Sequence, residues 1–367
     1  MSGPAAGSFA LLCRILEGAF DPAAARRALP ALPARVDWRA LIGLSGTNLV
    51  TPLMGLALER CGWAEELEPE LRGYFRAMTE AARERNAMLR RDLLRIAGAT
   101  ERAGIPLMPL KGAIRLVDGL YEDDGWRFMH DLDLLVPADR LEETRRLLEG
   151  LGWRPMSDDP CHLGLHLPPM IHPDSDSVLE LHGRAVPAWL EALLPAAALF
   201  ARARPFRVED VTLQLPDATD QLVHLVVHGQ LMHGHLYTGR LLLRDLVELV
   251  RLVDRSGPAA LDAMMRRLQR QGHRLAGELA LTTARATLPR AAAALPEGGT
   301  LARLLARKAV LQQRFPFLMT VLAPAGAVLR ERRAQAPGAG LLRQLARADY
   351  RRELRRQWQA FRRKTSW

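Results

Sequence analysis

The chain has 367 residues, 49% hydrophobic and 25% charged, with a formal net charge of +10, a composition that fits a folded protein of two or three modules. Three cysteines, Cys13, Cys61 and Cys161, are widely spaced with no CxxC pair, which argues against a disulfide framework or a zinc knuckle. The apolar run 315–329 is cut by Pro316, Pro324 and Gly326 and falls short of the ~18 residues a spanning helix needs.

No basic lead or cleavage site accompanies Phe9-Ala10-Leu11-Leu12, so a cytoplasmic protein is expected, with peripheral contact at the inner membrane surface as the alternative. The charge is unevenly placed. Residues 330–367 hold twelve Lys and Arg against Glu331, Asp349 and Glu353, which is +9 and leaves +1 for everything before.

In chain order, residues 1–100 read as a helical region. Asp37 is a candidate cap before Trp38, a helix follows Pro52, and Tyr74, Met78, Ala81, Met88 and Leu93 predict a long helix over 69–99. From Gly104 strands and helices alternate. Ile105-Pro106-Leu107-Met108-Pro109-Leu110 predicts a strand that turns at Lys111-Gly112 into a helix reaching about Leu120. Such a turn leaves backbone N–H groups and a lysine beside them, which is a seat for phosphate.

Met129-His130-Asp131-Leu132-Asp133-Leu134-Leu135-Val136 predicts a strand stopped by Pro137. Alternation puts Asp131 and Asp133 on one face, where both reach one metal site, and Leu132, Leu134 and Val136 on the other. Taken alone, the same pattern equally describes a solvated strand end. An amphipathic helix is expected over 137–151, then an active-site loop or hairpin over 156–177, rich in Pro, Asp, Ser and His. Val178-Leu179-Glu180-Leu181-His182 is the next strand, with Glu180 and His182 on a shared face. A helix over 189–202 follows, then a single loosely alternating run over 206–215 expected at the sheet's edge, and from Asp217 the chain reads as helical.

Leu110-Lys111-Gly112-Ala113, Leu120-Tyr121-Glu122-Asp123-Asp124-Gly125-Trp126-Arg127 and Asp131-Leu132-Asp133-Leu134-Leu135-Val136 together resemble a bacterial family of uncharacterised nucleotidyltransferases within the DNA polymerase β-like superfold. Val178-Leu179-Glu180-Leu181-His182 resembles that family's third-carboxylate strand. His228 with Leu241-Leu242-Leu243-Arg244-Asp245-Leu246 resembles its C-terminal helical signature. The wider superfold carries Gly-Ser at the phosphate turn where this chain has Lys111-Gly112.

The resemblance implies an α+β (mixed α/β) protein with a polymerase-β-like core and a small mixed sheet. The expected division is an N-terminal helical region over 1–100, the catalytic core over 101–215 and a C-terminal helical region over 216–367. It implies an enzyme that moves an NMP group from an NTP, ATP foremost, to a hydroxyl or phosphate acceptor on a small molecule, glycan or peptide, with Mg2+ or Mn2+. Asp131, Asp133 and Glu180 are then catalytic metal ligands, because nucleotidyl transfer uses two cations about 3.5–4 Å apart held by carboxylates. Lys111, Gly112 and Arg127 bind the nucleotide, Arg127 being equally suited to a surface ion pair with Asp123 or Asp124. His182, His228 and Asp245 are candidate supporting groups. His224, His228, His233 and His235 match no zinc template.

Two other classes fit the same residues. One is a non-catalytic, toxin–antitoxin-like regulatory protein that binds nucleotide. The other is a nucleic-acid-binding protein working through the tail, where Trp358 and Phe361 lie among Arg351, Arg352, Arg355, Arg356, Arg362, Arg363 and Lys364. That tail suits any anionic partner, whether acidic peptide, nucleic acid or membrane surface, and is equally a solvated basic helix.

Overall fold

A computed structural model describes residues 4–157 and 165–315, the side chains from Gly7 onward. The basic tail and Cys161 lie outside the described residues. Helices α1 (Pro4–Phe20), α2 (Pro22–Ala28), α3 (Trp38–Thr47), α4 (Thr51–Arg60) and α5 (Pro69–Arg102) lead the chain. Asp37 caps α3 as expected, its carboxylate accepting from the Ala40 N–H at 2.9 Å, which satisfies one of the helix's orphan donors.

The five-stranded mixed sheet runs in the order β1-β2-β5-β4-β3. Its strands are β1 (Met108–Pro109), β2 (Asp131–Leu135), β3 (Arg154–Pro155), β4 (Met170–His172) and β5 (Ser175–His182). Helix α6 (Leu141–Gly150) lies between β2 and β3 and belongs to the crossover that lets β2 and β5 run parallel, in the register Asp131↔Val178, Asp133↔Glu180, Leu135↔His182. Of the 156–177 segment, residues 170–177 belong to a hairpin, β4 pairing antiparallel with β5, and residues 158–164 lie outside the described residues.

The alternation expected for the two central strands is present. Leu132 and Leu134 of β2 and Val136 just after it, with Leu179 and Leu181 of β5, enter a core formed with Leu89, Leu93 and Ile96 of α5 and Leu148 of α6. The opposite face carries the polar residues.

Three expected elements differ. The segment after Lys111 is a 3-10 helix, Lys111–Leu116, because the Asp118-Gly119 turn, with Gly119 at φ 66°, follows too soon for an α-helix to establish. The helix expected over 189–202 is split by proline: a 3-10 turn Ala188–Leu190 follows Pro187, and α7 (Ala196–Arg202) follows Pro195. Residues 206–215 form no strand of the main sheet but fall within their own hairpin, β6 (Arg204–Val208) and β7 (Val211–Leu215). That hairpin is tied to the sheet region through Gln214 N–H to Leu107 O at 2.8 Å.

The remaining elements are α8 (Ala218–Val226), a π-helical turn Val227–Met232, α9 (His235–Thr238), α10 (Leu243–Arg270), α11 (Arg274–Thr287) and α12 (Thr300–Arg314). Helix α10 breaks at Gly257, φ 76°, just before Pro258. Leu12, Ile15 and Leu58 near the N-terminus share one hydrophobic cluster with Leu222, Leu249 and Leu281. The helices before and after the sheet thus close over it together. Among the described residues no helix is long and apolar enough to cross a membrane.

Candidate active site

A cavity of about 770 Å³ lies between the polar face of the sheet and helices α8 and α10. Asp131, Asp133 and Glu180 line it, as do Lys111, Gly112, Arg127, His224, His228 and Asp245. Nearly all the residues expected from sequence therefore face one space. His182 stands directly behind, fully buried.

Asp133 is the hub. Its Oδ1 accepts from Lys111 Nζ at 2.5 Å and pairs with His182 Nε2 at 2.9 Å. The Leu110 N–H donates to Asp133 O at 2.9 Å, so the turn that carries Lys111 is pinned to the strand that carries the acid. Lys111 itself takes φ 51°, a left-handed conformation costly for a residue with a side chain and characteristic of functional turns. Burial alone would raise the Asp133 pKa, but Lys111 and His182 outweigh it and hold the carboxyl well below its usual range.

Glu180 Oε2 lies 3.5 Å from His182 Nε2 and 3.7 Å from His166 Nε2. Asp133, Glu180 and His182 bring one ligand atom each within 4.8 Å of one another, close enough to hold a metal ion. Asp131 is half-buried at the cavity edge and outside that tight group. Burial and repulsion from Asp133, with Glu180 adding to it, raise its pKa. A surplus of carboxylate charge suits a hard divalent cation with oxygen donors. Burial disfavours the His182 imidazolium, yet Asp133 and Glu180 draw its pKa up, and its Nδ1 has no hydrogen-bond partner among the described residues.

Arg127 is not the surface partner of Asp123 or Asp124. Asp123 is taken by Arg83, at 2.9 and 2.6 Å. Arg127 is buried, with its Nε donating to Glu248 Oε2 at 2.7 Å. Its guanidinium lies against Gly112, where an added Cβ would stand 2.5 Å from Nη1. Only glycine leaves that space.

Glu248 also accepts from Arg115 Nε at 2.9 Å, and Arg115 bonds in turn to Gln221 at 2.9 Å and to Asp118. Arg85 of α5 spans the entry to both central strands, donating to Met129 O, His130 O and Asp176 O.

His224 and His228 line the cavity wall together, but the turn between them passes from α-helix into π-helix. Burial lowers the His224 pKa to about 3 and drives that of His228 well down, Lys111 contributing to both. Both shifts favour the neutral imidazole. His228 Nε2 lies 3.1 Å from His233 Nε2. Asp245 pairs with its neighbour Arg244 at 3.1 Å.

Sequence reasoning missed Glu248 and His166. Glu248 stands in Asp245-Leu246-Val247-Glu248-Leu249-Val250, a single acid amid buried apolar residues, and that oddity was the available signal. His166 lies in the segment read as an active-site loop.

A small mixed sheet bearing carboxylates on two adjacent parallel strands above a lysine-glycine turn is a layout suited to nucleotidyl transfer. The chain belongs to the family of uncharacterised nucleotidyltransferases, whose profile matches residues 34–289. That family assignment implies a nucleoside triphosphate substrate and nucleotidyl transfer as the class of reaction. No curated protein matches the chain.

Proposed function

We propose that the cavity catalyses transfer of an NMP group from a magnesium-bound NTP to a hydroxyl or phosphate acceptor on a small molecule, glycan or peptide, within a catalytic core over 101–215. One observation carries this reading: Asp131, Asp133, Glu180, Lys111 and Arg127 all line a single cavity.

Asp131, Asp133 and Glu180 would hold the divalent cation. It would supply positive charge against the phosphates and lower the pKa of the acceptor hydroxyl. His182 fixes the direction of Asp133 through its 2.9 Å contact. Arg127, and Lys111 once phosphate competes with Asp133 for its ammonium, hold the outgoing pyrophosphate. Glu180 faces the acceptor oxygen: that oxygen bonds to the α-phosphorus as the bond to the α–β bridging oxygen breaks, a hydroxyl acceptor's proton passes to the Glu180 carboxylate, and pyrophosphate leaves. Leu165, Trp189 and Leu194 on the cavity wall keep bulk water from competing as acceptor.

Pyrophosphate release from each NTP, in magnesium or manganese, tests the reading. Asp131→Asn and Asp133→Asn are each expected to lower it by ~100-fold or more, since each removes charge from the cation clamp. Full activity in both variants refutes the assignment.

A further inference from the structure

Arg127 is held at three points by residues far away in sequence. Its backbone C=O accepts from Asn86 Nδ2 of α5 at 2.7 Å. Its Nε donates to Glu248 of α10 at 2.7 Å. Its Nη atoms lie against the Gly112 backbone beside Lys111. Glu248 is 2% exposed, and its carboxylate engages Arg127 only through Nε. Neither Nη of Arg127 has a hydrogen-bond partner among the described residues, and Arg127 lines the cavity next to Gly112 and Lys111. A guanidinium held by one edge and open at the other is prepared for a bidentate anion.

The second oxygen of Glu248 is occupied by Arg115, itself fixed by Asp118 and Gln221. The carboxylate therefore cannot swing towards the Nη atoms of Arg127 without abandoning Arg115. Without Glu248, two buried guanidiniums would lose their common counter-charge.

We infer that Glu248 is a positioning residue: it holds Arg127 over the Lys111-Gly112 turn so that both Nη groups meet the β- and γ-phosphates of the bound triphosphate. This rests on the reading that the cavity takes an NTP. Helix α10 thereby contributes to nucleotide binding while Glu248 touches no substrate atom.

The test is a double-mutant cycle on the full chain, with calorimetric titration of magnesium-ATP, the other three magnesium-NTPs, and AMP as a probe lacking the outer phosphates. Glu248→Gln is expected to weaken NTP binding roughly 10- to 100-fold and to change AMP binding little. Arg127→Met should do the same. Arg127→Met/Glu248→Gln should bind no more weakly than Arg127→Met alone, because one acts through the other. Additive losses in the cycle, or NTP affinity unchanged in folded Glu248→Gln, would overturn the inference. Should Glu248→Gln fail to fold, the comparison of the double variant with Arg127→Met decides, since that pair differs only at Glu248 and lacks one of the two stranded cations. If wild type binds none of the four NTPs, the reading of the cavity is what fails, and the role of Glu248 falls with it.

Discussion

Two buried charge clusters face the same cavity and are built on opposite terms. Around Glu248, two arginines, Asp118 and Gln221 pair acceptors with donors at short range, and the Glu248 carboxyl is held down at about 2 because the arginines outweigh its burial. Around Asp133, one lysine and one histidine serve a single carboxylate, while Asp131 stands near with its pKa raised by burial and by Asp133. The first cluster balances its charge and fixes Arg127 in place, leaving that residue's Nη groups open to the cavity. The second keeps an excess of negative charge, which is what a cation-binding site must store in the absence of its cation.

The largest effect expected from sharpening this contrast lies within the acidic cluster. Glu180→Gln should leave magnesium-NTP binding within a few-fold of wild type and reduce transfer ~100-fold or more, as for an interaction needed chiefly in the transition state. Calorimetry beside a turnover assay separates the halves. Binding and turnover falling together would move Glu180 into the nucleotide-holding group, and no change in either would remove it from the site.

Acid unfolding should divide the two clusters next. The folded-state pKa of Glu248 is depressed from 4.5 to about 2. Its stabilisation is therefore complete above the unfolded value and lost as pH falls from about 4.5 through about 2, a loss on the order of 3 kcal/mol. In denaturant titrations Glu248→Gln should be less stable than wild type at neutral pH, and the gap should narrow across that acid window. A gap independent of pH would show that Glu248 does not carry the charge assigned to it.

The smallest effect has the opposite sign. A carboxyl with a raised folded pKa destabilises the fold once ionised, above its unfolded value, and is relieved as pH falls through the folded value. Asp131→Asn should thus raise the thermal midpoint at pH 7, while abolishing most turnover. A lowered midpoint would place Asp131 among the structural acids.

Much of the site was legible because strand alternation is a strict geometric rule. Asp131, Asp133, Glu180 and His182 follow from a period of two, and their shared face needed only that β2 and β5 be neighbours. What stayed hidden depends on contacts between distant segments. Nothing local to Arg127 announces that its counter-ion is Glu248, 121 residues onward. The pairing of Lys111 with Asp133 likewise comes from closure of the sheet. Local punctuation explains the missed elements: Asp118-Gly119, Pro187 and Pro195 shorten helices that apolar spacing extends, and the two-residue Glu209-Asp210 turn makes a hairpin where one run was read.

The clasp made by Arg85 has a consequence for how the molecule comes into being. Its guanidinium joins carbonyls 44, 45 and 91 residues away, so the two strand mouths are braced only after a long loop has closed, and such closures come late in folding. During synthesis the first acidic pair leaves the ribosome well before Glu180, and Glu248 follows later still. A nascent or truncated chain ending ahead of α10 would carry Arg127 without its acid partner and the cavity carboxylates without a roof. Activity should therefore appear only when the α10 segment is made, and fragments that stop short of it are candidates for aggregation and proteolysis.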